Sequence, residues 1–325
     1  MLATVANRLF QALLVVLAMT VIVFAGIHAI GNPVDILLSP QADLQERERL
    51  INALGLDKSL WVQYLLFLKG ALQGNLGNSF VYNEPAIQVI LQRLPATLEL
   101  AFAALILAVV IGIPLGLYCG LKPQAPAARG IMAASILGFS VPGFWVGICF
   151  ILLFAVHLGW LPSSGRGETV QFAGAQWSFL TRDGLAHLLL PAVNLALFKV
   201  SMVLRLTRAG VQEVAAKEYV KFARARGLRP SRIVGVHILK NIMIPLITVI
   251  GLEFGSTVAF AIVTESVFAW PGTGKLVIDS IHQLDRPVIV AYLTVVVLLF
   301  VAVNFTVDMT YALLDPRARS QGKRV

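Results

Sequence analysis

Four stretches of this sequence run without a charged side chain for longer than the roughly 20 residues a helix needs to cross a hydrocarbon core. They are Leu9 to Val34, Leu100 to Leu121, Gly130 to Gly165 and Pro287 to Val307. Two further apolar segments hold one charge each: Lys199 within Gly184 to Leu204, and Glu253 within Asn241 to Thr264. Such runs leave the chain no polar coat. Only 13% of its 325 residues are charged, against about 25% in a soluble domain, so a soluble globule and a disordered chain are both excluded. Cys119 and Cys149 lie inside apolar runs and offer no disulfide framework. The net charge of +9 needs no nucleic-acid partner in a membrane protein, and none is expected.

Six transmembrane helices are predicted, at 9–30, 95–121, 130–157, 186–207, 242–266 and 288–314. The first apolar run exceeds the h-region of a secretory signal and no small-residue cleavage site follows, so a retained helix is expected. With the N-terminus inside, cytosolic segments hold sixteen Lys and Arg, external segments nine, and Lys199 completes the 26. Basic side chains favour the inner face, which puts both termini in the cytosol. The expected protein is therefore an all-α, multi-pass membrane protein. Its parts are an N-terminus with helix one (1–30), an external segment (31–94), a transmembrane domain (95–314) and a basic tail (315–325).

Two loops are long. Within the external one, Leu60 to Leu72 reads as an amphipathic or partly buried helix, too short to span; it is either a cap on the membrane face or a docking surface. The cytosolic segment 208–241 reads as two helices joined by a sharp turn. Gln212 to Arg226 has helical character, Gly227 suits a left-handed C-terminal position, Pro230 stops continuation, and Ser231 is a candidate N-cap for the next helix.

The order of residues in that segment resembles the coupling loop of ABC importer permeases, in the form used by the dipeptide, oligopeptide and nickel family. Glu218-Tyr219-Val220, Ala223-Arg-Ala225-Arg-Gly227-Leu228, His237 and Asn241 followed by Pro245 fall where that family has them. Gly55-Leu-Asp57, Gln63-Tyr64, Gly74-Asn-Leu-Gly77, Pro95-Ala-Thr-Leu-Glu99, Thr264 to Gly274 and Asp315-Pro-Arg317 look like its other motifs. The resemblance spans the chain, and the short stretch before helix one looks like the "B" permease of the pair.

That resemblance implies a heterodimer with a second permease, two cytosolic ATPases and an extracytoplasmic solute-binding protein, in a bacterial inner membrane with lipid around it. ATP and magnesium would sit on the partner ATPases; this chain would be a transport subunit, not an enzyme, with no cofactor or metal of its own. Glu218, Tyr219, Ala223, Ala225, Gly227, Leu228, His237 and Asn241 would then be ATPase-coupling residues. Glu265, Trp270, Pro271 and Gly272 would belong to an external gate or binding-protein docking site. Short peptides are the implied substrate, with metal chelates, glutathione-like peptides, opines and sugars left open. Asn32 and Asn75 stand where the family often has Asp, which weakens a bare cation as substrate. The chain itself has no nucleotide loop: Gly274-Lys275 is followed by Leu276, and Ala269 replaces the first glycine.

Charges inside a membrane are costly and point to function. Glu99 and Glu265 are expected near external helix ends, within reach of water. Asp308 lies near the cytosolic end of helix six. Lys199 and Glu253 lie roughly 12 and 16 Å deep at 1.5 Å per residue. The resemblance implies neutral residues at both places, so two departures of opposite sign predict a pair lining the translocation path, either structural or touching substrate. Gly112, Gly116 and Gly120 form a small-residue face for close helix packing or a hinge beside Pro114; Trp160 and Trp270 suit the outer interface. Two other classes compete. An ion-coupled carrier would use Lys199, Glu253 and Asp308 as a relay. An intramembrane enzyme has little to stand on, since His28, His157, His187 and His282 stand singly.

Overall fold

The computed structural model describes residues 2–29, 43–53 and 56–314. Asn32, Gly55 and the tail from Asp315 lie outside them. Along the chain come α1 (Leu2–Ala29), α2 (Leu44–Ala53), α3 (Leu60–Leu72), α4 (Ala86–Leu121), α5 (Pro126–Ser140) and α6 (Gly143–His157). A hairpin follows, β1 (Val170–Phe172) and β2 (Ala175–Trp177), then α7 (Arg182–Ala215), α8 (Glu218–Ala225), α9 (Pro230–Val267), α10 (Thr273–His282) and α11 (Arg286–Leu314). Among the described residues, five helices are long and apolar enough to cross a membrane. The α5–α6 pair adds a sixth if it counts as one span, but it is bent by 105°. The bend falls at Val141, which is extended (φ −88°, ψ 133°), the conformation a following proline imposes; Pro142 then opens α6.

The chain divides into two units. In the first, Met1–Leu94 with Lys275–Val301, α3 is held to α1 by a Thr20–Tyr64 hydroxyl hydrogen bond of 2.9 Å and by Phe24 meeting the Tyr64 ring edge-on at 5.3 Å. Trp61 and Leu65 stay exposed. In the same unit the fully buried carboxylate of Asp285 accepts from the Ser79 hydroxyl and, at 3.2 Å, from the Phe80 amide.

The second unit is Pro95–Gly274 with Ala302–Val325, and its centre is α7 packed against α9 and α5. One apolar cluster joins Val211, Val214, Val220, Ala223, Ile233, Ile238, Ile242 and Leu246. A second joins Ala96, Leu100, Leu188, Ala192 and Trp270.

Three expectations need correction. The structure is mostly helical, as expected, but it adds a short hairpin at 170–177 that the all-α reading did not include. Ala173 and Gly174 turn it with φ of +52° and +80°, the doubly left-handed turn that matches the twist of paired strands. The second long helix starts at Ala86, not 95, and runs through Pro95, because buried Ala86, Val89 and Ile90 carry the same i, i+3, i+4 stripe upstream of the proline.

The third correction concerns 212–226, which is not one helix. The chain turns extended at Lys217 (φ −66°, ψ 145°) between α7 and α8. Nine residues along an unbroken helix rotate a side chain by about 180°, so Val220 would face away from Val211. The break turns both into one cluster. Downstream, Arg229 rather than Ser231 caps the next helix, with Pro230 at its first position.

Candidate functional site

The turn after α8 is built from backbone geometry. Gly227 sits at φ +74°. Its amide donates to the Arg224 carbonyl at 2.9 Å, and the Leu228 amide reaches back to the Ala223 carbonyl at 3.3 Å. These two bonds make the paired C-terminal cap in which a left-handed residue closes a helix. Val220 and Ala223 face inward, while Tyr219 and Phe222 stay 44% and 59% exposed. The Arg226 guanidinium lies 4.7 Å from the centre of the Phe222 ring. The outer face of α8 is therefore aromatic and charged, with Glu218 and Lys221 paired beside it at 2.8 Å.

After the turn the helix widens to a π-helical stretch over Ile233–Leu239, a form often found at functional positions. There the His237 carbonyl accepts from the Asn241 side-chain amide at 2.7 Å and from the Tyr219 hydroxyl at 3.4 Å. Tyr219, His237 and Asn241 thus meet; Glu218, Ala225 and Gly227 are exposed, Leu228 is half-buried and Ala223 is buried.

Lys199 and Glu253 come together. Each stands at the middle of its helix, Lys199 within Arg182–Ala215 and Glu253 within Lys240–Val267. The Lys199 ammonium donates to the Glu253 carboxylate and, at 3.0 Å, to the Ser256 hydroxyl, which donates to the same carboxylate at 2.9 Å. The lysine side chain is 8% exposed and the glutamate 24%, so the pair opens on the glutamate side. Removing one member of a buried pair strands the other charge, at about 3–5 kcal/mol. Lys199→Leu alone is expected to cut the amount of folded chain in membranes severalfold. Adding Glu253→Gln should restore most of it, because glutamine keeps the Ser256 hydrogen bond. Additive losses in the double variant would refute the coupling. Asp308 lies in α11, and its side chain is outside the described part.

Of the residues expected at the external side, Glu265, Trp270 and Gly272 are buried. Glu265 is fully buried and accepts from the Thr97 hydroxyl at 2.7 Å; the Thr273 amide donates to that hydroxyl at 2.8 Å. Gly272 presses on the carboxylate so closely that a Cβ would stand 2.3 Å from it. The Trp270 indole, fully buried, donates to the Ala96 carbonyl at 2.9 Å, so its ring packs inside the protein rather than against lipid. Pro271 is half-buried.

Glu99 is not solvated either. Arg166 grips it at 2.6 Å, and the Ser178 hydroxyl and the Ser178 and Phe179 amides donate to its other oxygen at 2.7, 2.9 and 2.6 Å. Arg166 was not singled out from the sequence. Its nearest signal is being a lone cation in a loop that follows 36 uncharged residues. Among the described residues, no group of three or more His, Cys, Asp or Glu is placed to hold a metal.

Comparison with known proteins places these features in context. Residues 112–320 match the family described as binding-protein-dependent transport system inner membrane component, and residues 1–101 match the N-terminal part of such membrane components. The di/tripeptide transport system permease protein DppB of Pseudomonas aeruginosa is 39% identical over 99% of this chain and 100% of its own length. The dipeptide permease DppB of Escherichia coli K12 is 35% identical over 98% of this chain and 99% of its own. The glutathione transport system permease GsiC of Escherichia coli is 34% identical over 98% and 99%. Among solved structures, a chain of the inward-facing MetNI methionine ABC transporter aligns with a TM-score of 0.56 at 19% identity, covering 71% of this chain and 99% of that one; at that identity the likeness is one of fold.

Proposed function

This chain belongs to the binding-protein-dependent transport system inner membrane components, multi-pass transport subunits rather than enzymes, and from that premise we propose that it carries short peptides inward across a bacterial cytoplasmic membrane. The observation that carries the peptide assignment is end-to-end similarity to permeases named for di- and tripeptides, dipeptides and glutathione, substrates that share a short peptide backbone. Both termini lie in the cytosol, as the basic residues argue. The chain pairs with a second permease over two ATPases, and a binding protein delivers the peptide from outside.

The exposed face of α8 and the turn at Gly227 form the contact with an ATPase. Its support is a short helix capped at a fixed angle, with Tyr219, Phe222 and Arg226 outward and Val220 and Ala223 locked into the core. Closure of the ATPases around ATP then moves α7 and α9 as packed bodies, a rigid-body switch biased by the nucleotide. Lys199 and Glu253 line the path between them, and Asp308 of α11 is assigned to the same path by its place in the sequence. Glu265, Trp270, Pro271 and Gly272 form the frame of an external gate; their burial favours a supporting role over direct contact with the binding protein. The ion-coupled carrier is not favoured, because the relatives named above are transport-system permeases.

The test is to tag this chain, extract it gently from native membranes, and assay labelled dipeptide uptake in vesicles. Co-purification of two ATPases and a second permease, with uptake that requires ATP, is the expected result. A chain that emerges alone and transports without ATP would overturn the proposal.

A further inference from the structure

A cavity of about 310 Å³ opens between the end of α4, the start of α5 and the last third of α7. Met132, Ala133 and Ile136 form an apolar wall, and Pro123, Arg129 and Arg208 stand around them. The wall runs on into Leu137; Ile136 and Leu137 are 55% and 66% exposed on α5, which together with α6 has the length and composition of a membrane span. On the membrane reading, the turn that joins α4 to α5, residues 122–125, lies at the membrane surface, where the uncharged stretch Leu100–Leu121 gives way to Lys122, Gln124 and Arg129.

The charge here is one-sided. No Asp or Glu occurs between Glu99 and Glu168, or between Asp183 and Glu213, so none of the three contributing segments supplies a carboxylate. Among the described residues the Arg129 side chain donates one hydrogen bond, to the Gln124 side-chain oxygen at 2.9 Å. The Nε of Arg208 is buried and finds no hydrogen-bond partner among the described residues. A guanidinium cannot shed its charge to escape that cost, so an Arg208 whose Nε–H is unmet and whose side chain lines the cavity favours an acceptor that binds at its accessible end.

We propose that this cavity is a binding site for an anionic phospholipid. Its phosphate accepts from Arg129 and Arg208, and one acyl chain lies along Met132, Ala133 and Ile136. Arginine is suited to phosphate because its planar fork offers several donors at once, and basic pockets between membrane helices hold anionic headgroups. A zwitterionic lipid fits less well, since its ammonium would face two arginines with no carboxylate to meet it. The inference rests on the membrane reading alone and not on what the chain transports.

The experiment is native mass spectrometry of the delipidated full-length chain, with whatever subunits co-purify, titrated with phosphatidylglycerol or phosphatidylcholine. The intact protein is expected to retain phosphatidylglycerol with a preference of roughly tenfold or more, since each basic side chain near a membrane surface contributes about 1 kcal/mol. Arg129→Gln with Arg208→Gln should bring the two lipids to parity. Met132→Trp, which fills the wall but leaves both arginines, should also weaken phosphatidylglycerol. Equal retention of the two lipids by the intact protein would overturn the site, a result that needs no variant to fold. Complete displacement by inorganic phosphate would show a bare-anion site and overturn the lipid assignment; persistence of the lipid against phosphate supports it.

Discussion

Gly116→Val is expected to deplete the folded permease from the membrane, while Gly130→Ala leaves it unchanged or slightly more stable. A Cβ at Gly116 would stand 2.5 Å from the Leu204 carbonyl oxygen and 2.6 Å from the Thr207 Cβ. Its neighbours one turn away are as tight, with Gly112 meeting Val203 at 2.9 Å and Gly120 meeting Val211 at 2.6 Å. The three glycines thus form a groove on α4 into which α7 settles backbone to side chain. A carbonyl cannot rotate aside as a side-chain tip can, so relief requires the helices to part. Overpacking ordinarily costs about 1–3 kcal/mol, and a backbone collision belongs at the upper end of that range or above it. Gly130, on α5, has nothing within 4 Å of an added Cβ, and alanine is the better helix former. Membrane abundance and thermal unfolding in detergent check both. A Gly116→Val chain as abundant and stable as the parent would exclude close packing as the role of these glycines and leave the hinge beside Pro114.

Gly227→Val is expected to lower ATP-driven peptide uptake by tenfold or more with the chain still present in the membrane. Nothing lies within 4 Å of a Cβ at Gly227, so the substitution tests backbone conformation without a clash. At φ +74° an L-residue pays about 1–2 kcal/mol, and a β-branched one is a genuine outlier there. The chain can escape by leaving the left-handed region, which breaks the Leu228-to-Ala223 closure and re-aims α8. Asparagine tolerates this region, so Gly227→Asn should keep much of the uptake. The measurement is uptake per permease, with the amount of ATPase co-purifying recorded beside it. Normal uptake by the valine variant would remove this turn from the coupling step.

Several of these features were readable from the chain alone, for a common reason. The spans follow from uncharged runs, the turn from Gly227 and Pro230 three residues apart, and the Lys199–Glu253 meeting from two opposite charges at similar depth in segments with no other charge. In each case the information is local, or the apolar surroundings leave a charge only one place to go. The hairpin was not read: Ala173-Gly174 does divide alternating residues, but three-residue strands give a weak signal beside the long helices around them. Nor was the break at Lys217. Its residues favour helix, and only the need to turn Val211 and Val220 toward one cluster accounts for it.

The sequence by itself determined that this chain lives in a membrane, which apolar stretches form its long helices, and that the backbone turns left-handed at Gly227. Hydropathy and glycine act on neighbouring residues and need no fold to be read. Only the tertiary structure decided which charged and polar groups are buried. Glu265 accepts from Thr97, 168 residues away, and Glu99 is held by Arg166 and the chain at Ser178. Composition placed both carboxylates at helix ends beside water, but burying a carboxylate requires donors to converge on it, and those donors are brought together only by packing.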